Sequence, residues 1–185
     1  MMERADPRSR RDAYGSRINR AHSPLLAYVV PWATILIATL LPVFPIASAA
    51  PIVPPIGLMT LVAWRLVRPG LLPVWAGFPL GLFSDLFSGQ PFGSGILLWS
   101  LAMIAIEAIE TRFPWRSFVQ DWLIAVAIVT GSIVAAAGLS GAALGAPLFA
   151  ALVPQVLLSL MLYPIIARMV SALDRFRLLR VRILG

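Results

Sequence analysis

The sequence contains no cysteine and no lysine, and its one histidine is His22. Without cysteine the chain can form neither a disulfide framework nor a cysteine-ligated metal or redox centre. The His-Glu-x-x-His pattern of zinc proteases and the phosphate-binding loop that ends in lysine are absent as well. An intramembrane aspartyl protease would need two aspartates in neighbouring spans, and Asp85 has no such partner. We therefore predict a protein that is not an enzyme and that binds neither a cofactor nor a metal ion.

Charge is scarce, since 12% of the residues are charged and 59% are hydrophobic. Soluble domains carry about 25% charged residues, so this composition indicates an integral membrane protein. The 15 basic and 8 acidic residues give a net charge of +7. In a soluble protein this excess would suggest nucleic acid as a partner. Here the arginines fall between apolar runs, which predicts a role in membrane topology and contact with anionic lipids, and no nucleic-acid partner.

Six apolar runs predict an all-α membrane protein with six transmembrane helices in a single bundle. The second run is short, so its helix is expected to begin near Ala47 or to tilt. Pro79 is expected to kink the third helix. The predicted spans are residues 25–41, 52–64, 71–87, 95–109, 122–138 and 148–167. The predicted organisation is a basic cytoplasmic tail at 1–24, a membrane domain at 25–167 and a second basic tail at 168–185.

The basic leader and the first apolar run also fit a secretory signal, because Ala47-Ser48-Ala49 resembles a cleavage site. The run of 17 residues is long for the core of such a signal, and the cleavage-like site lies beyond two prolines. We therefore expect the first run to be retained as a span, preceded by a disordered tail.

The arginines determine the predicted orientation. In a six-span arrangement with both termini in the cytoplasm, all fifteen arginines lie on the cytoplasmic side. The loops after the first, third and fifth spans contain none, and a five-span arrangement would break this segregation. The last tail, 168–185, could lie in the inner leaflet as an amphipathic segment or bind a partner in extended form. The predicted topology anchors are Arg65, Arg68, Arg112, Arg116 and Arg168.

Residues 77–95 hold Asp85, the one carboxylate between Asp12 and Glu107. An aspartate in apolar surroundings within a membrane indicates a functional site, although a solvated position at the end of a span is the alternative. Asp85 stands about 15 residues into the third span, roughly 22 Å from its cytoplasmic end. There the segment 89–95 could fold back and offer backbone N–H groups to the carboxylate. We therefore expect Asp85 to organise this loop and not to carry protons.

Small residues predict close helix packing. Gly77 and Gly81 share one face of the third span, and the fifth span contains Gly131, Ala135 and Gly138. Such residues let helix backbones approach closely in a membrane. Packing within the chain is favoured over dimerisation.

Three further carboxylates lie near predicted span ends. Glu107 and Glu110 are three residues apart, which would suit a proton relay or a cation site. Pairing with Arg112 or Arg65 is the favoured alternative. Asp121 is expected to cap the fifth span.

The segment that begins at Gly81 resembles the central motif of the rod shape-determining protein MreD family. That motif is a glycine, an aspartate four residues later, and then Gly-x-Pro-apolar-Gly. The segment from Trp64 to Pro69 is similar to the corresponding loop of the family, and the resemblance covers roughly residues 25–167. The long N-terminal tail is not required by the family pattern. The motif positions in this sequence are Gly81, Asp85, Gly89, Pro91 and Gly93.

The resemblance implies a non-catalytic scaffold of the bacterial cell-elongation machinery in the inner membrane, which helps regulate peptidoglycan synthesis and rod cell shape. It implies binding to the bitopic protein MreC and association with RodA, a class B penicillin-binding protein and the MreB cytoskeleton. It also implies a fold similar to the substrate-binding subunits of energy-coupling-factor transporters. The alternative is a small-solute-binding subunit of a transporter. The polar residues available for that role are Ser84, Asp85, Ser88, Gln90, Ser94 and Ser100.

Overall fold

The computed structural model describes residues 24–43, 53–113, 117–141 and 145–177, and within these ranges the chain is helical, without strands. Short 3₁₀ turns follow the first helix and precede the third, at Leu41–Val43 and Val74–Ala76. The six α-helices are α1 (Pro24–Leu40), α2 (Ile56–Val67), α3 (Gly77–Ser88), α4 (Ser94–Arg112), α5 (Phe118–Leu139) and α6 (Ala146–Arg177).

Three of these helices, α4, α5 and α6, are long and apolar enough to cross a membrane. Helices α1 and α2 are shorter but also apolar. Helix α3 has 12 residues, and at 1.5 Å per residue it extends only about 18 Å. The predicted all-α fold is therefore confirmed for the described residues, and three of its six helices have the length and composition of membrane spans.

Helix α2 lies at the centre of the bundle. Every residue from Gly57 to Leu66 is buried, and the helix packs against α1, α4, α5 and α6. The indole of Trp64 is fully buried, and its Nε1–H donates to Thr34 Oγ1 in α1 at 2.9 Å. A helix that is apolar on all sides is expected in such a position.

The expectation that α2 begins near Ala47 is wrong. Ala47 lies outside the described residues, and 53–55 are not helical. The helix begins at Ile56, directly after Pro54 and Pro55. A proline disfavours helical backbone angles in the residue before it, so this pair sets the start of the helix.

The third predicted span is not a single helix with Pro79 in its interior. The predicted third span resolves into the 3₁₀ turn Val74–Ala76 followed by α3, so Pro79 lies in the first turn of α3. Backbone N–H groups in a first turn have no partner within the helix, and proline therefore removes no hydrogen bond there.

Ser117, and not Asp121, caps α5. The backbone N–H of Gln120 donates to Ser117 Oγ at 3.4 Å, and the Ser117 N–H donates to Gln120 Oε1 at 2.9 Å. This reciprocal pair is a capping box. Asp121 follows in the first turn of α5, where a carboxylate interacts favourably with the helix dipole.

Helix α6 continues ten residues beyond the predicted end of the sixth span. Val170, Asp174 and Arg177 are buried, so tertiary packing holds the added turns. Residues 168–177, expected to be tail, are thus helical. The rest of that tail, 178–185, and residues 1–23 lie outside the described residues.

Candidate functional site

The carboxylate of Asp85 joins α3 to the start of α4. Its Oδ1 accepts a hydrogen bond from the N–H of Gly95 at 2.6 Å. Its Oδ2 accepts from Gly93 at 2.9 Å and from Ile96 at 3.2 Å. The side chain is buried, since Asp85 is only 7% exposed. Three N–H donors and the positive end of the α4 dipole therefore surround and stabilise this charge.

The loop between α3 and α4 depends on two glycines of the motif. Gly89 ends α3 with φ of +65°, and Gly93 precedes α4 with φ of +95°. Only glycine adopts this left-handed region without a steric penalty. Between them, the carbonyl of Pro91 accepts from the N–H of Ser94 at 3.0 Å and closes a turn. We refer to residues 89–93 as the Asp85 loop.

Helices α3 and α4 pack backbone against backbone at three glycines. A Cβ atom on Gly77 would lie 2.8 Å from the Trp99 carbonyl oxygen, and one on Gly81 would lie 2.5 Å from the Gly95 carbonyl oxygen. A Cβ atom on Gly95 would lie 2.6 Å from Asp85 Oδ1. Gly95 does not stand out in the sequence, because its closeness to α3 arises only from the crossing of the two helices.

The small residues of α5, unlike the glycines of α3, do not lie at a close helix contact. Gly131, Ala135 and Gly138 are exposed, and a Cβ atom on either glycine would meet no atom within 4 Å. This face of α5 therefore makes no close packing with the other described helices.

A cavity of about 450 Å³ lies beside Asp85 and is lined by residues from all six helices. Five of the six polar residues considered for solute binding line it, and Ser100 does not. Its wall also contains Ser140, whose Oγ–H donates to Gln90 Oε1 at 2.9 Å. Gln155 on α6 donates through Nε2 to the Val53 carbonyl at 3.0 Å. The cavity thus adjoins the Asp85 loop and is bounded by hydrogen bonds from α5 and α6.

A partly buried ionic cluster lies at the opposite end of α4. Arg65 is 2% exposed, and its Nη1 donates to the Leu72 carbonyl at 2.6 Å. Its Nη2 pairs with the Glu107 carboxylate and lies 3.0 Å from Glu110 Oε2. The interpretation that these glutamates pair with Arg65 is confirmed. Among the described residues, no three His, Cys, Asp or Glu side chains are placed to hold a metal ion.

A second cluster joins α1, α2 and α6 at the same end. Asp174 accepts from Arg68 Nε at 2.8 Å and from Arg177 Nε at 2.7 Å. Arg177 also donates to the Ala27 carbonyl at 3.0 Å, and its guanidinium lies 5.8 Å from the centroid of the Trp64 ring. The sequence signal is weak, consisting of an aspartate three residues before an arginine on one helix.

The predicted topology anchors fall into three groups. Arg65 and Arg68 end α2 and make the ion pairs described above, whereas Arg112 and Arg168 are exposed on α4 and α6. Arg116 lies outside the described residues. The side of the membrane on which these residues lie stays a prediction.

Comparison with known families gives one match. A family model described as rod shape-determining protein MreD matches residues 23–175, which is most of the chain. No curated protein and no solved structure matches the chain.

Proposed function

The chain belongs to the rod shape-determining protein MreD family, and from this membership we propose that it is a non-catalytic scaffold of the cell-elongation machinery. The family consists of membrane proteins with a role in rod shape determination. In our proposal the chain binds a bitopic MreC-like protein and thereby helps regulate peptidoglycan synthesis. Through its complex with the MreC-like protein, the chain would also associate with RodA, a class B penicillin-binding protein and the MreB cytoskeleton.

The Asp85 loop is the observation that best supports a binding role. The buried carboxylate accepts one hydrogen bond from Gly93 in the loop and two from Gly95 and Ile96 at the start of α4. These bonds tie the loop to α4, so its shape exists before any partner arrives. A surface that is already ordered loses little conformational entropy on binding. Around the loop, Leu86, Phe87 and Phe92 expose 64%, 44% and 72% of their surfaces. Such an apolar, pre-ordered surface suits an apolar partner segment.

For localisation we propose the inner membrane with both termini in the cytoplasm. The arginine segregation supports this orientation, and it places the two ionic clusters on the cytoplasmic side. Exposed Arg112 and Arg168 would then contact anionic lipid headgroups. The Asp85 loop would lie at the opposite membrane surface.

A second candidate function, a small-solute-binding subunit of a transporter, is favoured by the cavity beside Asp85. Its volume of about 450 Å³ falls in the usual range for small-molecule sites. Gene order separates the two candidates. An adjacent reading frame for an MreC-like protein supports the scaffold, and an adjacent transporter ATPase supports the transporter.

In-cell crosslinking tests the scaffold proposal. A photoreactive amino acid at Phe92 should crosslink to the co-expressed MreC-like protein. Phe149 on α6 is a matched control, since it is also an exposed phenylalanine (58%) and stands close in sequence to the cavity-lining residue Leu152. Crosslinks at Phe149 and none at Phe92 would contradict the assignment of the Asp85 loop as the docking surface.

A further inference from the structure

The cavity beside Asp85 offers a ligand only one charged group. Among the described residues that line it, Asp85 is the only one with an ionisable side chain. Both oxygens of its carboxylate already accept backbone hydrogen bonds. An anionic ligand would face this carboxylate without a compensating cation, and an ammonium group would compete with the N–H donors. Unpaired charges are costly to bury, so the lining favours an uncharged ligand.

The hydroxyl groups of the lining are arranged for a ligand that bears hydroxyls. Thr39 and Ser132 each donate to the carbonyl four residues earlier in their own helices, at 2.8 Å in both cases. Their oxygen lone pairs therefore remain as acceptors. Ser84 and Ser94 also line the cavity, and their hydroxyls can donate as well as accept. An alcohol group, which is both donor and acceptor, matches this combination.

The remaining wall is apolar. Leu58, Leu98, Trp99, Ile133 and Leu152 line the cavity together with the hydroxyl groups. A purely hydrophilic solute would leave these side chains in contact with polar atoms. An amphiphile satisfies both parts, because its alkyl portion can pack against the apolar wall while its head meets the hydroxyls.

We propose that this cavity binds the hydroxyl-bearing headgroup and adjoining alkyl segment of an uncharged amphiphile, such as a monoacylglycerol. The proposal goes beyond the scaffold function and does not depend on it. A scaffold without a bound amphiphile would still crosslink to its partner at Phe92, so the failure of one proposal is distinguishable from the failure of the other.

Photolabelling of the purified full-length protein tests the proposal. The probe is a monoacylglycerol with a diazirine in its acyl chain, and the control probe is the fatty acid with the same chain. We expect the monoacylglycerol to label peptides from residues 84–99 and 132–140, and unlabelled monoacylglycerol to compete. Equal labelling by the fatty acid, equal competition by free glycerol, or no labelling above background would overturn the proposal.

Two neighbouring alanines on α5 provide a matched pair of variants. Ala136 lines the cavity, whereas Ala135 is exposed on the other face. Ala136→Leu should reduce labelling about tenfold, which corresponds to roughly 1.4 kcal/mol of binding free energy. Ala135→Leu should label like the parent protein. Equal labelling of the two variants would overturn the proposal.

Ser132→Ala keeps the test decisive if Ala136→Leu does not fold. This variant removes one acceptor from the cavity without filling it. We expect weaker labelling at an unchanged melting temperature. Labelling at the parent level would contradict the role given to the hydroxyl groups.

Discussion

At the scale of single residues, the Asp85 carboxylate takes the place of a capping side chain on α4. The residue at the capping position, Gly93, has no side chain to offer. Asp85 reaches the first N–H groups of α4 from the neighbouring helix instead. Helix N-termini leave such groups without partners inside the helix. A residue distant in sequence therefore fixes both the start of α4 and the geometry of the loop before it.

Gly81 offers a prediction on helix packing, with Gly131 as its control. Gly81→Ala places a Cβ atom 2.5 Å from the Gly95 carbonyl oxygen, whereas Gly131→Ala meets no atom within 4 Å. We expect Gly81→Ala to lower the stability of the purified protein by about 1–3 kcal/mol through overpacking. Gly131→Ala should leave stability unchanged or raise it, because alanine favours helix by up to about 1 kcal/mol. Melting curves that rank the two variants in the opposite order would show that α3 and α4 do not cross at Gly81.

At the scale of elements, helix positions follow from the sequence where an apolar run is long and uninterrupted. Helices α1, α4 and α5 lie within a few residues of their predicted bounds for this reason. Helix α3 is shorter than its run because a 3₁₀ turn takes up part of it. Helix α6 is longer, since Asp174 and Arg177 bind groups on α1 and α2. These long-range contacts cannot be read from local periodicity.

The sequence predicts the candidate site only in part. The isolation of Asp85 and its depth in the predicted span indicate that it organises the loop. The importance of this role for function stays a prediction. The cavity-lining residues Ser132, Ser140 and Gln155 come from helices that are distant in sequence. Their side chains resemble ordinary small or polar positions in a span, so only the packing of the bundle brings them together.

The docking of the α6 end against α2 can be tested at Asp174. Its carboxylate pairs with Arg68 and Arg177, and it is 6% exposed. Asp174→Asn leaves the buried Arg177 without its counter-charge, and breaking a buried pair typically costs about 3–5 kcal/mol. We expect a lower melting temperature and faster tryptic cleavage near Arg177.

The adjacent Arg175→Gln provides the control for that experiment. Arg175 is exposed, so this variant changes a charge on the same turn without disturbing the buried cluster. It should melt like the parent protein. If both variants melt alike, the cluster does not stabilise the end of α6.

At the scale of the whole molecule, the two polar regions lie at opposite ends of α4. Ser94 starts this helix beside Asp85, and Glu110 pairs with Arg65 near its other end. Sixteen residues separate them, which corresponds to about 24 Å along a helix. This distance approaches the ~30 Å thickness of a bilayer core. One end thus carries the Asp85 loop and the cavity, and the other carries the ion pairs.

Reporter fusions test the orientation that this arrangement predicts. Arginine-rich loops stay in the cytoplasm. A reporter fused within an arginine-bearing segment should therefore lie in the cytoplasm, and a reporter fused within a loop that lacks arginine should lie outside it. A C-terminus outside the cytoplasm would contradict the six-span topology. The cytoplasmic sites are Gly15, Pro69, Arg116 and Gly185, and the outside sites are Pro45, Gly89 and Gly141.

The most direct test of the central claim, that Asp85 acts by holding its loop, compares two variants for their ability to restore rod shape to cells that lack the protein. Asp85→Asn can keep the two hydrogen bonds of Oδ2, so it should restore rod shape largely. Asp85→Leu leaves three N–H groups without their acceptor, at about 1–3 kcal/mol for each unpaired group, and should fail. If Asn fails as completely as Leu while both accumulate as folded protein, the hydrogen bonds of Oδ2 are not sufficient for function, and the loop-holding account is contradicted.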